Sequence, residues 1–139
     1  MMATPTQQSG FKTNPDYKIL FEPSPRRVRV KFNGETVADS TNAHLLFETR
    51  HLPVYYFPRS DVRMDRMTAT DHHTFCPYKG TAGYWSVETG RGVHTDAVWM
   101  YRSPLAESQK IAGLACFYNE RVDLYVDGER QDRPRTPFS

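Results

Sequence analysis

Cys76, Tyr78 and Lys79 stand together in CPYKG, inside the run DHHTFCPYKGTAGYW at 71–85. These types at this spacing suggest thiol chemistry. Cys76 precedes Pro77, which biases it toward an extended backbone, and Lys79 with His72 or His73 could favour the thiolate electrostatically. Asp71 or Asp96 could orient a histidine base, completing a Cys-His-Asp arrangement. The competing reading is a buried cysteine packed beside Phe75, Tyr78, Tyr84 and Trp85.

A metal site is not expected. His72 and His73 would point to opposite faces of a strand, and Cys76 and Cys116 lie forty positions apart with no CxxC pair. A complete ligand set would need Cys116, His44, His51 or His94. Nor is KGTAG a phosphate loop: its lysine precedes the glycine and no helix clearly follows, so a turn between strands is the simpler account. No cofactor is expected.

Aromatic residues surround the same stretch. Alternation along a strand cannot bury both Tyr55 and Tyr56 on one face, nor both Tyr84 and Trp85, so several rings should line a second surface. A cleft walled by Trp85, Trp99 and Tyr101, with Tyr84 and the polar tips of Tyr78, Lys79, Arg63 and Asp96, has the make-up of a small-molecule site.

The elements that must position these residues are mostly strands. Val28, Val30 and Phe32 alternate with Arg27, Arg29 and Lys31, and Asn33-Gly34 is a strong hairpin signal. β-rich runs follow at AHLLFE, VYYF, AGYWSVET, AVWMY, LACFY and RVDLYV, separated by Pro58, Lys79-Gly80 and Gly90-Arg91-Gly92. The expected fold is mainly β, a small antiparallel sandwich or barrel. One short helix is expected over 104–112, with Ser103 as N-cap, Pro104 at its first position and Gly113 closing it. Ser60 and Asp61 could start a further short turn. Residues 1–25 read as an N-terminal arm with an aromatic island at Tyr17 to Phe21, 26–126 as the single β-domain, and 127–139 as a tail of disordered composition.

Size and charge narrow the classes. At 139 residues the folded surface scales to about 7,400 Å² against about 23,000 Å² unfolded, which is enough burial for one domain with a core. The net charge is +2, and residues 1–25 and 127–139 are each neutral, so there is no nucleic-acid footprint. Arg26, Arg27 and Arg29 could mark an anionic contact surface, but alternation with Val28 and Val30 reads first as the outer face of a strand. No apolar run approaches a membrane span and no signal peptide is visible, so a cytoplasmic protein is expected.

VYYFPRSDVRMD at 54–65, CPYKGTAGYWSV at 76–87, DAVWMYRSPL at 96–105 and IAGLACFYNERVD at 111–123 resemble, in that order, the bacterial and fungal family of domain of unknown function 427. The likeness covers roughly residues 28 to 126. It implies a small all-β domain of the β-tent kind, grouped with methionine sulfoxide reductase B and zinc-dependent relatives. Many of those relatives hold zinc on paired CxxC motifs, which this chain lacks. No acidic pair beside a Gly-Ser loop supports the nucleotidyltransferase label sometimes attached to the family.

Two functional readings follow. In one, a cytoplasmic β-domain binds a small polar or anionic ligand in the aromatic cleft. Its catalytic version has Cys76 as nucleophile or redox thiol, Lys79 stabilising negative charge, and Asp96 or a histidine handling the proton. In the other, the same aromatics pack a core or an interface of a non-catalytic interaction module. Exposed edge strands make a homodimer plausible; neither reading calls for nucleic acid or membrane.

Overall fold

Val28, Val30 and Phe32 are buried while Arg29 and Lys31 are half-buried on the opposite face, as alternation requires. The computed structural model describes residues 16–135; the parts of the expected arm and tail at 1–15 and 136–139 lie outside the described residues. Among the described residues eleven strands are formed: β1 (Ile19–Pro23), β2 (Val28–Phe32), β3 (Glu35–Ser40), β4 (His44–Glu48), β5 (Val54–Phe57), β6 (Met67–Cys76), β7 (Gly80–Thr89), β8 (Gly92–Met100), β9 (Ala115–Phe117), β10 (Asp123–Val126) and β11 (Glu129–Arg130). The β2–β3 hairpin turns on Asn33 (φ 49°) and Gly34 (φ 83°). Positive φ at both central residues marks the type I′ turn, whose twist matches that of the flanking strands.

All pairings between strands are antiparallel. They build a seven-stranded sheet in the order β1-β4-β5-β9-β8-β7-β6 and a four-stranded sheet in the order β11-β10-β2-β3. Between the sheets lies the larger core, where Val28, Val30, Phe32 and Val37 meet Phe57, Val87, Val98, Met100 and Phe117. The fold is thus mainly β with two antiparallel sheets and no closed barrel.

The large sheet also curls. Glu48, at the end of β4, pairs with Lys79 in the β6–β7 turn, and Tyr17 just before β1 stacks on Tyr78 of that turn with centroids 3.5 Å apart. Four strands separate β4 from β6 in the sheet order, so these contacts join the sheet's two ends. Side chains do this, because no hydrogen-bond ladder links β1 to β6.

Three features differ from the sequence reading. The stretch assigned to an arm reaching residue 25 contains β1, paired with β4 from Ile19↔Glu48 to Pro23↔His44. The stretch assigned to the tail contributes β11, and Arg133 donates to Asp123. The expected helix is only a 3₁₀ segment, Ala106–Ile111, broken at Ser108 (φ −124°). Its polar groups are drawn outward: Leu105 N–H bonds the Lys79 carbonyl and Ser108 Oγ donates to the Tyr78 carbonyl. Those tertiary bonds displace the regular ladder, and Ser103 caps nothing. Ala112 N–H closes the segment on Gln109 O, and Gly113 follows it at φ 71° and donates to Tyr101 O.

Candidate functional site

Strand β7 has two chemically different faces. Ala82 and Tyr84 point to one side, into a cluster with Leu46, Tyr56, Tyr101, Ile111 and Cys116, against which Cys76, Trp99 and Tyr118 also pack. Trp85 and Val87 point to the other, into the core between the sheets. Tyr55 and Tyr56 divide in the same way. The second aromatic surface expected from alternation therefore exists, and it is the concave face of the curled sheet.

That concave face holds a buried ion pair. The Lys79 and Glu48 side chains, 10% and 6% exposed, are joined directly, and the Tyr17 hydroxyl donates to the other Glu48 oxygen. His51 Nδ1 lies 3.2 Å from the same hydroxyl, while Lys79 Nζ sits 6.0 Å from the Tyr101 ring centre. Burial, reinforced by the hydrogen bond to Glu48, raises the Tyr17 pKa. Burial alone dominates at Tyr101 and at the Cys116 thiol, both also raised. Lys79 thus neutralises a carboxylate inside the protein and offers no free cation.

On the opposite face the β6–β7 hairpin extends past the small sheet. Directly paired residues share a face, so Phe75 with Thr81, His73 with Gly83 and Ala69 with Trp85 form three successive rows. They floor a groove of about 600 Å³ whose far wall is Arg102, Ser103 and Leu105. Gly83 leaves the middle row low: a Cβ there would lie 3.7 Å from the Trp85 ring and 4.0 Å from His73 Nε2. Arg102 is exposed at the rim, its guanidinium 5.3 Å from the Trp85 ring centre. No carboxylate lines the groove, and Arg102 forms no ion pair among the described residues.

Two bulges shape this floor. Between Ala69↔Trp85 and His73↔Gly83, β6 advances four residues while β7 advances two. Between Trp85↔Val98 and Val87↔His94, β8 carries a matching excess. Such insertions re-aim side chains. Asp96, in the second bulge, adopts φ 51° and takes its backbone bond from N–H to Ser86 Oγ at 3.2 Å. Thr70 Oγ1, in the first, donates to Asp96 at 2.6 Å and accepts from His72 N–H at 3.3 Å.

The far wall is held by close backbone approach. Gly80 has φ 111°, and a Cβ there would come within 3.3 Å of Leu105 N and 3.4 Å of Pro104 Cα. Together with the Leu105 N–H to Lys79 carbonyl bond, this clamps the Arg102–Leu105 loop onto the CPYKG turn.

The residues singled out from sequence therefore separate into groups. Cys76, Tyr84, Trp99 and Tyr101 do gather in one cluster, with Lys79 and Tyr78 at its closing edge. Cys76 is half-buried and Cys116 fully buried, both unbridged. Trp85 faces the other core, because it is one residue from Tyr84 in an extended strand, so it cannot wall a common cleft with Trp99 and Tyr101. Asp96 braces the bulges. Arg63 is exposed and bidentate to Asp65 at 3.0 and 2.8 Å, and its N–H bonds Val37 O beside the small sheet. Arg102 and Ser103 at the groove escaped the site reading, and His73, weighed there as a partner for Cys76 or as a metal ligand, stands instead opposite Gly83. No local signal marked Arg102, whose place at the wall follows from the fold.

Among the described residues no group of three or more His, Cys, Asp or Glu is placed to hold a metal ion. No described helix is long and apolar enough to cross a membrane. A family model described as "Domain of unknown function (DUF427)" matches residues 20–128, well over half of the chain. A comparison with curated proteins finds no match.

Proposed function

We propose that this chain, which belongs to the family described as domain of unknown function (DUF427), binds a small planar anion in the groove between the β6–β7 hairpin and the Arg102–Leu105 loop. One observation carries the reading. Arg102 is a permanent cation without a carboxylate partner among the described residues, held over Trp85 at the mouth of a groove that contains no acidic side chain. Arginine presents a planar fork of donors suited to a carboxylate or phosphate. Phe75, 39% exposed, and the low floor at Gly83 supply an apolar platform for a flat ligand, while Thr81 and Ser103 add hydroxyls.

The reading assigns binding and places no covalent chemistry on Cys76. Neither Cys76 nor Lys79 lines the groove, and Lys79 is committed to Glu48. It sets the protein in the cytoplasm, where the two unbridged cysteines stay reduced. In the interaction-module alternative the same aromatics pack a core or an interface; pairing of two copies through the exposed edge of β6 is disfavoured by the bulge there, whose groups are bonded by Thr70 and His73.

The test follows the Trp85 indole N–H resonance, identified with Trp99→Phe, while benzoates and nucleoside monophosphates are titrated in. Saturable movement, weakened about tenfold or more by Arg102→Gln, is expected from loss of a charge-assisted contact. If no compound moves the resonance, or if Arg102→Gln binds equally well, the proposal is wrong.

A further inference from the structure

The two-residue bulge in β6 decides which side chain faces Gly83. In an unbroken register continuing from Ala69↔Trp85, Asp71 would stand opposite Gly83; the observed partner is His73. An unbulged strand would therefore set a carboxylate in the groove that carries Arg102. The bulge replaces it with an imidazole.

The state of that imidazole follows from its local bond. His73 Nδ1 lies 2.9 Å from the Asp71 carbonyl oxygen. A carbonyl oxygen can only accept, so Nδ1 carries the proton and, in the neutral ring, Nε2 presents a lone pair. Nε2 lies over the low floor, 4.0 Å from where a Gly83 Cβ would be. The other polar groups of the groove have different duties. Thr70 Oγ1 already donates to Asp96 and accepts from His72 N–H; Arg102 can only donate. The Thr81 and Ser103 hydroxyls can donate as well as accept, so a ligand ether can still pair with them, whereas Nε2 of the neutral ring offers only a lone pair.

Resting on the groove reading above, we infer that the ligand carries two features: an anionic group that meets Arg102, and an O–H or N–H that donates to His73 Nε2. The ligand class is a planar hydroxy- or amino-substituted acid. The groove discriminates against the same acid with its donor blocked. His73 is exposed in the free protein, so the discrimination arises on binding: the bound ring covers Nε2, and an acceptor covered by an ether or methyl group has lost its water without replacement. His73 is then a specificity-determining residue, and Asp71 a positioning one through its backbone carbonyl.

The experiment titrates 3- and 4-hydroxybenzoate, and the methyl ether of each, against the Trp85 indole resonance. The full chain is used, with His73→Phe, His73→Gln and Arg102→Gln variants. The expected result is a preference of about fivefold or more for the free hydroxyl. His73→Phe erases that preference and leaves ether binding within about twofold, while His73→Gln, whose amide oxygen can accept, keeps part of it. Arg102→Gln weakens all four compounds alike. Equal binding of phenol and ether by the unmodified protein, or a preference that survives His73→Phe, overturns the inference and leaves the groove reading standing. No movement with any compound overturns the groove reading itself, and this inference with it.

Discussion

Thr70 donates a 2.6 Å hydrogen bond to Asp96, tying the bulge of β6 to the bulge of β8 across β7. Neither residue lies on a helix or at a conventional turn. Their bond spans the bulge across which the register passes from Ala69↔Trp85 to His73↔Gly83, so a residue with the chemistry of a proton carrier works here as a brace.

Asp96→Ala should cost about 1–3 kcal/mol, since it leaves the Thr70 hydroxyl without its acceptor and places alanine at positive φ. Asp96→Asn keeps both the acceptor and the tolerance of φ 51°, and should fall within about 1 kcal/mol of the parent. Urea midpoints at constant slope measure both. Equal losses in the two variants would mean that the carboxylate charge, and not the bond, is what matters.

Lys79→Met strands the Glu48 carboxylate where its side chain is only 6% exposed. A loss of about 3–5 kcal/mol is expected, as for other buried pairs broken on one side. Adding Glu48→Gln should recover much of it. Chemical denaturation of the single and double variants closes the cycle; a double variant no more stable than Lys79→Met would show that the charge is not buried in solution.

Gly80→Ala combines a strained φ of 111° with a Cβ 3.3 Å from Leu105 N. About 1–3 kcal/mol of destabilisation is expected, with amide shifts spreading to Arg102 and Ser103. Gly90→Ala, where a Cβ meets nothing within 4 Å, is the control. Shifts confined to the turn itself would mean that the loop is not clamped there.

Stability should fall on the alkaline side. Burial raises the pKa of Cys116, Tyr56 and Tyr101, and raises Tyr17 with help from Glu48. A group raised by folding stabilises fully below its unfolded pKa and progressively less above it. The decline therefore begins near pH 8.5 for the cysteine, steepens near pH 10 for the tyrosines, and continues until the folded groups titrate. Urea midpoints from pH 7 to 11 measure it, and Cys116→Ser should remove the earliest part. A flat profile to pH 11 would contradict these buried environments.

What the sequence determined by itself was local and periodic. Alternation at Val28, Val30 and Phe32 set the inward face of β2, and Asn33-Gly34 set the hairpin, because a strand's side-chain period and a turn's positive φ act over a few residues. The same alternation required Tyr84 and Trp85 to part company. It could not show which of them faced a groove, since that depends on where the small sheet ends over the large one. Strand β6 was hidden because MTATDHHTFC is polar, exposed along much of its length and interrupted by a bulge, so its alternation is broken. The helix expected over 104–112 failed for a related reason: bonds from Leu105 and Ser108 to a turn some thirty residues earlier outweigh local propensity. Tertiary structure alone brought Lys79 to Glu48, Asp96 to Thr70 and Arg102 to Trp85. Each pair meets only after the chain has folded back on itself, and burial then decides whether a charge is spent inside the protein or left facing a groove.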